Sequence, residues 1–130
     1  VALPPDLCGQ GRLFNNKKTS GFSVVRAICL DFEVHTHEFG HNLGCGHELG
    51  NEDERGWDEY SHGKNFCTDL QRFKTIMAYD CKANGILVPT PVENIFSSPD
   101  LEINGTPTGS SGEDNVRTIM KTRFAVATYL

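Results

Sequence analysis

The chain has 130 residues, 38% of them hydrophobic, which is enough for one globular domain with a modest core. Twelve basic residues against seventeen acidic ones give a formal charge of −5 with no basic patch, so nucleic acid is excluded as the default partner. Apolar runs extend only a few residues, far short of a membrane span.

The opening VALPPDLCGQ carries neither an initiating Met nor a signal-peptide pattern, which marks a processing site, a cut edge or a truncation. Within residues 1–16 the run GRLF reads as a short edge strand, and GFSVVRAICL, 21–30, as a strand or the approach to a helix. A helix is expected from Asp31 as N-cap, with Phe32, Thr36, Phe39 and Leu43 recurring on its packing face and Gly44 ending it in a left-handed conformation. Residues 48–75 are polar and acidic and predict a long surface loop with little regular structure. TIMAYD, 75–80, predicts a tight apolar turn, followed by chain punctuated with Pro and Gly. A closing helix is expected to pack through Val116, Ile119, Met120, Phe124 and Ala127, capped by Ser111, Asp114 or a neighbour.

The chemistry is concentrated in VHTHEFGHNLGCGHELG, 34–50, which holds four of the five histidines. On a helix His37 and His41 fall about 40° apart, and Glu38 lies about 100° round from His37. That offset suits a base beside a metal ion better than a ligand to it. Gly44 lets the chain turn so that His47 can supply a third nitrogen. Three neutral imidazoles with an open fourth position suit one catalytic Zn²⁺, whose bound water can lose a proton near neutral pH with Glu38 as base. A structural zinc site fits poorly, because such sites are usually closed by cysteines. His35 is expected to be exposed, and His62 to be a hydrogen-bonding loop residue.

His37-Glu38-x-x-His41-x-x-Gly44-x-x-His47 resembles the zinc signature of the metzincin metallopeptidases, and TIMAYD supplies Met77 as the matching Met-turn. HEFGHNLGCGH, SHGKNF, TIMAYDC and FSSPD are most similar to secreted microbial reprolysin-like and peptidyl-Asp metallopeptidases, while Glu48 and Tyr79 look astacin-like. The resemblance implies His37, His41 and His47 as zinc ligands, Glu38 as catalytic base, Met77 as an apolar floor, and Tyr79 as a donor to the oxyanion. It also implies that Gly11, Arg12 and Leu13 belong to the edge strand that pairs with a peptide substrate. Only 36 residues precede His37. The expectation is therefore a single α+β unit over residues 1–130: a partial zincin domain with active-site helix, Met-turn, irregular C-terminal subdomain and C-terminal helix, most of the N-terminal sheet being absent. The IFSSPD run, 95–100, either walls the pocket for the residue after the scissile bond or is plain loop.

Five cysteines without paired CxxC spacing point to an oxidising compartment and to secretion. We expect Cys8 with Cys29, tying the edge strand to the segment before the helix, and Cys67 with Cys81, clipping the loop to the turn. Cys45 is expected to point away from the metal or to form a disulfide. The acidic run Glu48, Glu52, Asp53 and Glu54 reads as a solvated face, and a calcium site there has no recognised loop spacing behind it. The functional expectation is zinc-dependent hydrolysis of peptide bonds in a protein or peptide substrate. The rival is a non-catalytic zinc-binding fragment or interaction module that keeps the metal site.

Overall fold

A computed structural model of the chain describes residues 2–30, 32–51 and 55–129. Among the described residues, two α-helices and four two-stranded antiparallel ribbons make a mixed α+β architecture. In chain order these are β1 (Gly9–Gly11), β2 (Ser23–Val25), α1 (Phe32–Asn42), β3 (Asn65–Cys67), β4 (Arg72–Lys74), β5 (Lys82–Ala83), β6 (Ile86–Leu87), β7 (Glu102–Ile103), β8 (Thr106–Pro107) and α2 (Asn115–Ala127).

The strand near the N-terminus sits over GQG, starting two residues earlier than the GRLF run suggests, with Gln10 opposite Val24. Its position follows from sterics. A Cβ on Gly9 would lie 2.6 Å from Glu38 Oε1, and one on Gly11 would strike the Glu38 carbonyl oxygen, so two glycines let β1 lie directly on α1. Asn42 completes the attachment, its amide reaching the carbonyls of Arg12 (2.9 Å), Ser20 (3.0 Å) and Phe22 (2.9 Å).

The α1 helix ends as anticipated, with Gly44 at φ +92°, but its buried face differs from the expected one. Leu43 is buried as expected, but Glu38, His41 and Asn42 are buried too, whereas Phe39 is 48% exposed; the proposed cap Asp31 and the Phe32 side chain lie outside what is described. The polar face is the covered one because β1 and the 44–47 loop lie over it. The α2 helix shows the same inversion. It buries Asn115, Thr118 and Thr122 and leaves Met120 and Phe124 largely exposed, while Ile119 packs against the core. Short hydroxyl side chains allow close approach and bond what they meet: Thr118 to Ser61 Oγ (2.6 Å) and Thr122 to the Leu43 carbonyl (2.6 Å). Asp114 is the cap, accepting from the Arg117 N–H at 3.0 Å.

Part of the expected 48–75 loop is regular structure: β3 and β4 form a hairpin over residues 65–74, with Phe66 stacked on Phe73. Two further hairpins, β5–β6 and β7–β8, turn on Asn84-Gly85 and Asn104-Gly105, all four residues at positive φ, the conformation this dipeptide favours in tight turns. Both expected disulfides are present, Cys8 with Cys29 and Cys67 with Cys81. The central apolar cluster is Cys45, Ile76 and Met77, joined by Phe96 and Ile119. No helix among the described residues is long and apolar enough to cross a membrane.

Candidate metal centre and cleft

Helix α1 places His37 and His41 one turn apart, and the reversal at Gly44 returns the chain so that His47 faces them. One ring nitrogen from each of the three histidines lies within 4.8 Å of those of the other two. Outer hydrogen bonds set the rings. His37 Nδ1 donates to the Ile76 carbonyl (2.8 Å) and His41 Nδ1 to the Cys45 carbonyl (2.9 Å), so each Nε2 is left as a lone-pair donor. His37 Nε2 and His47 Nε2 stand 3.1 Å apart. Two nitrogens bound tetrahedrally at zinc–nitrogen distances are separated by about 3.3 Å, so this spacing fits a shared ion.

His62 holds the backbone that carries the third histidine, its Nδ1 donating to the His47 carbonyl at 2.9 Å. Asn115 is fully buried beside it. With its amide turned to satisfy both ends, it donates to the Ser61 carbonyl (3.3 Å) and accepts from the Gly63 N–H (3.1 Å). His35 is exposed, as expected. Cys45 takes no part in the nitrogen cluster: its Sγ points to the Asn115 carbonyl at 3.8 Å, and burial pushes the thiol pKa well up, away from the thiolate that binds metal.

Met77 is fully buried, and its sulfur fills the space that a Cβ on Gly40 would need, directly against α1 between the two helical histidines. The Ala78 N–H closes a turn onto the Thr75 carbonyl at 3.0 Å. Two residues beyond Met77, the Tyr79 ring lies 4.3 Å from that of His47 and parallel to that of His37 at 6.1 Å. Glu48 fixes this position by accepting from the Tyr79 N–H at 2.9 Å. Of the acidic run raised for calcium, Glu52, Asp53 and Glu54 lie outside the described residues.

A cleft of about 330 Å³ opens over the imidazoles. Glu38, 7% exposed, lines it beside Gly9 and Gln10 of β1, with Tyr79 and Lys74 among the other wall residues. Gly11, Arg12 and Leu13 instead border a neighbouring hollow against Phe22 and Val24. The bonds from Arg12 N–H to Phe22 and from Arg26 N–H to Cys8 set the ladder's alternation, so Gly9 and Gly11 turn their N–H and C=O groups away from β2. Both Arg12 backbone groups are taken, the N–H by the Phe22 carbonyl across the ribbon and the carbonyl by the Asn42 amide of α1. Phe96 packs into the core and the IFSSPD run does not border the cleft. Gly9, Gln10, Glu33 and Lys74 are cleft residues that the sequence reading did not single out. For the two glycines of CGQG the signal was a pair of residues without side chains flanking one polar residue; for Glu33 and Lys74 there was none.

The family model for reprolysin-like metallopeptidases of family M12B matches residues 2–121. The chain belongs to that family. Its zinc dependence agrees with the three-imidazole cluster, which can hold one metal ion. Among this reprolysin-like chain's relatives, a peptidyl-Asp metalloendopeptidase of Stenotrophomonas maltophilia strain R551-3 is 29% identical over 125 residues, covering 94% of this chain and 29% of that protein. A protein of the same name from Xanthomonas campestris pv. campestris is 27% identical over 124 residues, covering 94% of this chain and 28% of that one. The chain thus spans less than a third of the length of these curated relatives. No solved structure gives a significant match.

Proposed function

We propose that residues 1–130 belong to one catalytic domain of a secreted zinc endopeptidase and that this domain hydrolyses peptide bonds in proteins or peptides. The convergence of the His37, His41 and His47 nitrogens beside the buried Glu38 carboxylate, within an open cleft, carries the reading. When bound there, zinc acidifies a water and polarises the scissile carbonyl. Glu38 takes the proton of the attacking water as its oxygen bonds to the carbonyl carbon, and delivers that proton to the amine nitrogen as the C–N bond breaks. The Tyr79 hydroxyl donates a hydrogen bond to the oxygen that gains charge. Met77, as the Met-turn, supports the two helical ligands from below.

Substrate binds as an added strand along β1, on the outward N–H and C=O groups of Gly9 and Gly11, with Leu13 at the end of the same edge. Two disulfides suit an oxidising, extracellular setting. Cleavage beside aspartate, the residue in the relatives' name, is part of the same proposal. The test is to load the chain with zinc and assay an unstructured protein substrate. One zinc per chain is expected, with cleavage stopped by chelator and by Glu38→Ala. Equal rates for wild type and Glu38→Ala would reject the enzyme and leave a zinc-binding module.

A further inference from the structure

Among the described residues lining the cleft, Lys74 is the one permanent cation. Its backbone is fixed on both sides, paired with Asn65 in the hairpin while its N–H donates to Pro91 (2.9 Å) and its carbonyl accepts from Glu93 (2.8 Å). The side chain is only 14% exposed, so its charge is poorly screened by water. Two carboxylates meet the ammonium, and they are unequal. Asp80 is at 2.9 Å; Glu33, on the first turn of α1, is at 3.4 Å and 35% exposed.

We propose that Lys74 is the specificity-determining residue of the cleft, receiving the carboxylate of an acidic substrate side chain in place of Glu33. The proposal rests on the peptidase reading and adds what chooses the substrate. Asp80, at the shorter distance, holds the ammonium in place. Glu33 covers it in the free protein and swings to water, where the positive end of the α1 dipole still favours its charge. Exchanging one carboxylate for another leaves the charge around Lys74 unchanged, whereas a neutral side chain would leave that bond unreplaced. A lysine has three donors on a flexible stem, so the incoming group can be met without moving β4.

The test compares two peptides that differ only in aspartate or asparagine at the cleavage position. Binding is measured to the zinc-loaded Glu38→Ala protein, which requires no turnover, and cleavage is measured with Glu38 intact. Aspartate should be preferred in both, and Lys74→Met should reduce that preference by about 10–100-fold, the scale of one charged hydrogen bond. Lys74→Arg should restore most of it, and Glu33→Gln should raise affinity for the aspartate peptide by removing the competitor. An aspartate preference that survives Lys74→Met, or is missing from the parent protein in the binding assay, overturns the proposal. Aspartate-selective binding that depends on Lys74 with no cleavage would instead reject the peptidase reading while keeping the pocket assignment.

Discussion

The turn at residues 75–78 and the ribbon of β1 and β2 both border the imidazoles, yet they are held by different means. Thr75, Ile76, Met77 and Ala78 are all buried, each less than a tenth exposed. In and beside the ribbon, Phe22, Ile28 and Leu30 are each more than 60% exposed. What fastens the ribbon is directional: the Asn42 amide on three carbonyls, the Phe14 N–H on the His41 carbonyl (2.9 Å), the Cys8–Cys29 bridge, and two glycines seated on Glu38. Burial therefore secures the turn, and hydrogen-bond geometry aligns the ribbon.

Removing burial from the turn should have the largest effect. Met77→Ala is expected to cost about 2–5 kcal/mol of unfolding free energy, measured by chemical denaturation with chelator present so that metal binding does not mask the loss. A cost below about 1 kcal/mol would mean that apolar packing is not what holds the turn. Asn42→Ala, the matching lesion in the ribbon, should cost about 1–3 kcal/mol through orphaned carbonyls. Amide exchange should then quicken in residues 9–25 and stay slow in α2; an even loss over both would erase the distinction.

Gly9→Ala sharpens the contrast, because its methyl group meets the Glu38 carboxylate and not the core. About a tenfold fall in kcat/KM, or ~1.4 kcal/mol in the barrier, is expected with zinc stoichiometry and stability little changed. Unaltered turnover would show that the ribbon yields and does not align the Glu38 carboxylate. The smallest effect belongs to a surface pair remote from both regions. Burial raises the Asp58 pKa, but hydrogen bonds from Lys121 (2.8 Å) and Tyr60 (2.9 Å) outweigh it, so the carboxyl lies below its ordinary value of 3.8. Its stabilisation is present above that value and is lost as pH falls through the lower folded pKa. The stability gap between wild type and Asp58→Asn should therefore be open at neutral pH and close in the strongly acid range. A gap that persists in acid would assign the effect to packing.

The metal site was legible in advance because its spacing is local: His37, Glu38, His41, Gly44 and His47 fall within one helix and its termination, and rigid helical geometry turns sequence intervals into positions. Both helices were also legible, but not their buried faces. Periodicity assigns large apolar residues inward, whereas here the side chains of Asn42, Asn115, Thr118 and Thr122 are inward because each has a backbone or hydroxyl partner to meet. The Glu33–Lys74–Asp80 grouping was not legible, since it joins a helix start, a strand and a turn that only tertiary folding brings together. The small hairpins escaped for a related reason: their strands are two or three residues long, too short for an alternation pattern to register.

The odd cysteine gives the molecule an internal clock. Cys45 sits at 0% exposure between the 44–47 loop and α2, with the other four cysteines locked in disulfides. A thiol-labelling reagent can react with the oxidised protein only when that junction parts. The labelling rate therefore reads how often the platform under the third histidine opens, without any introduced probe.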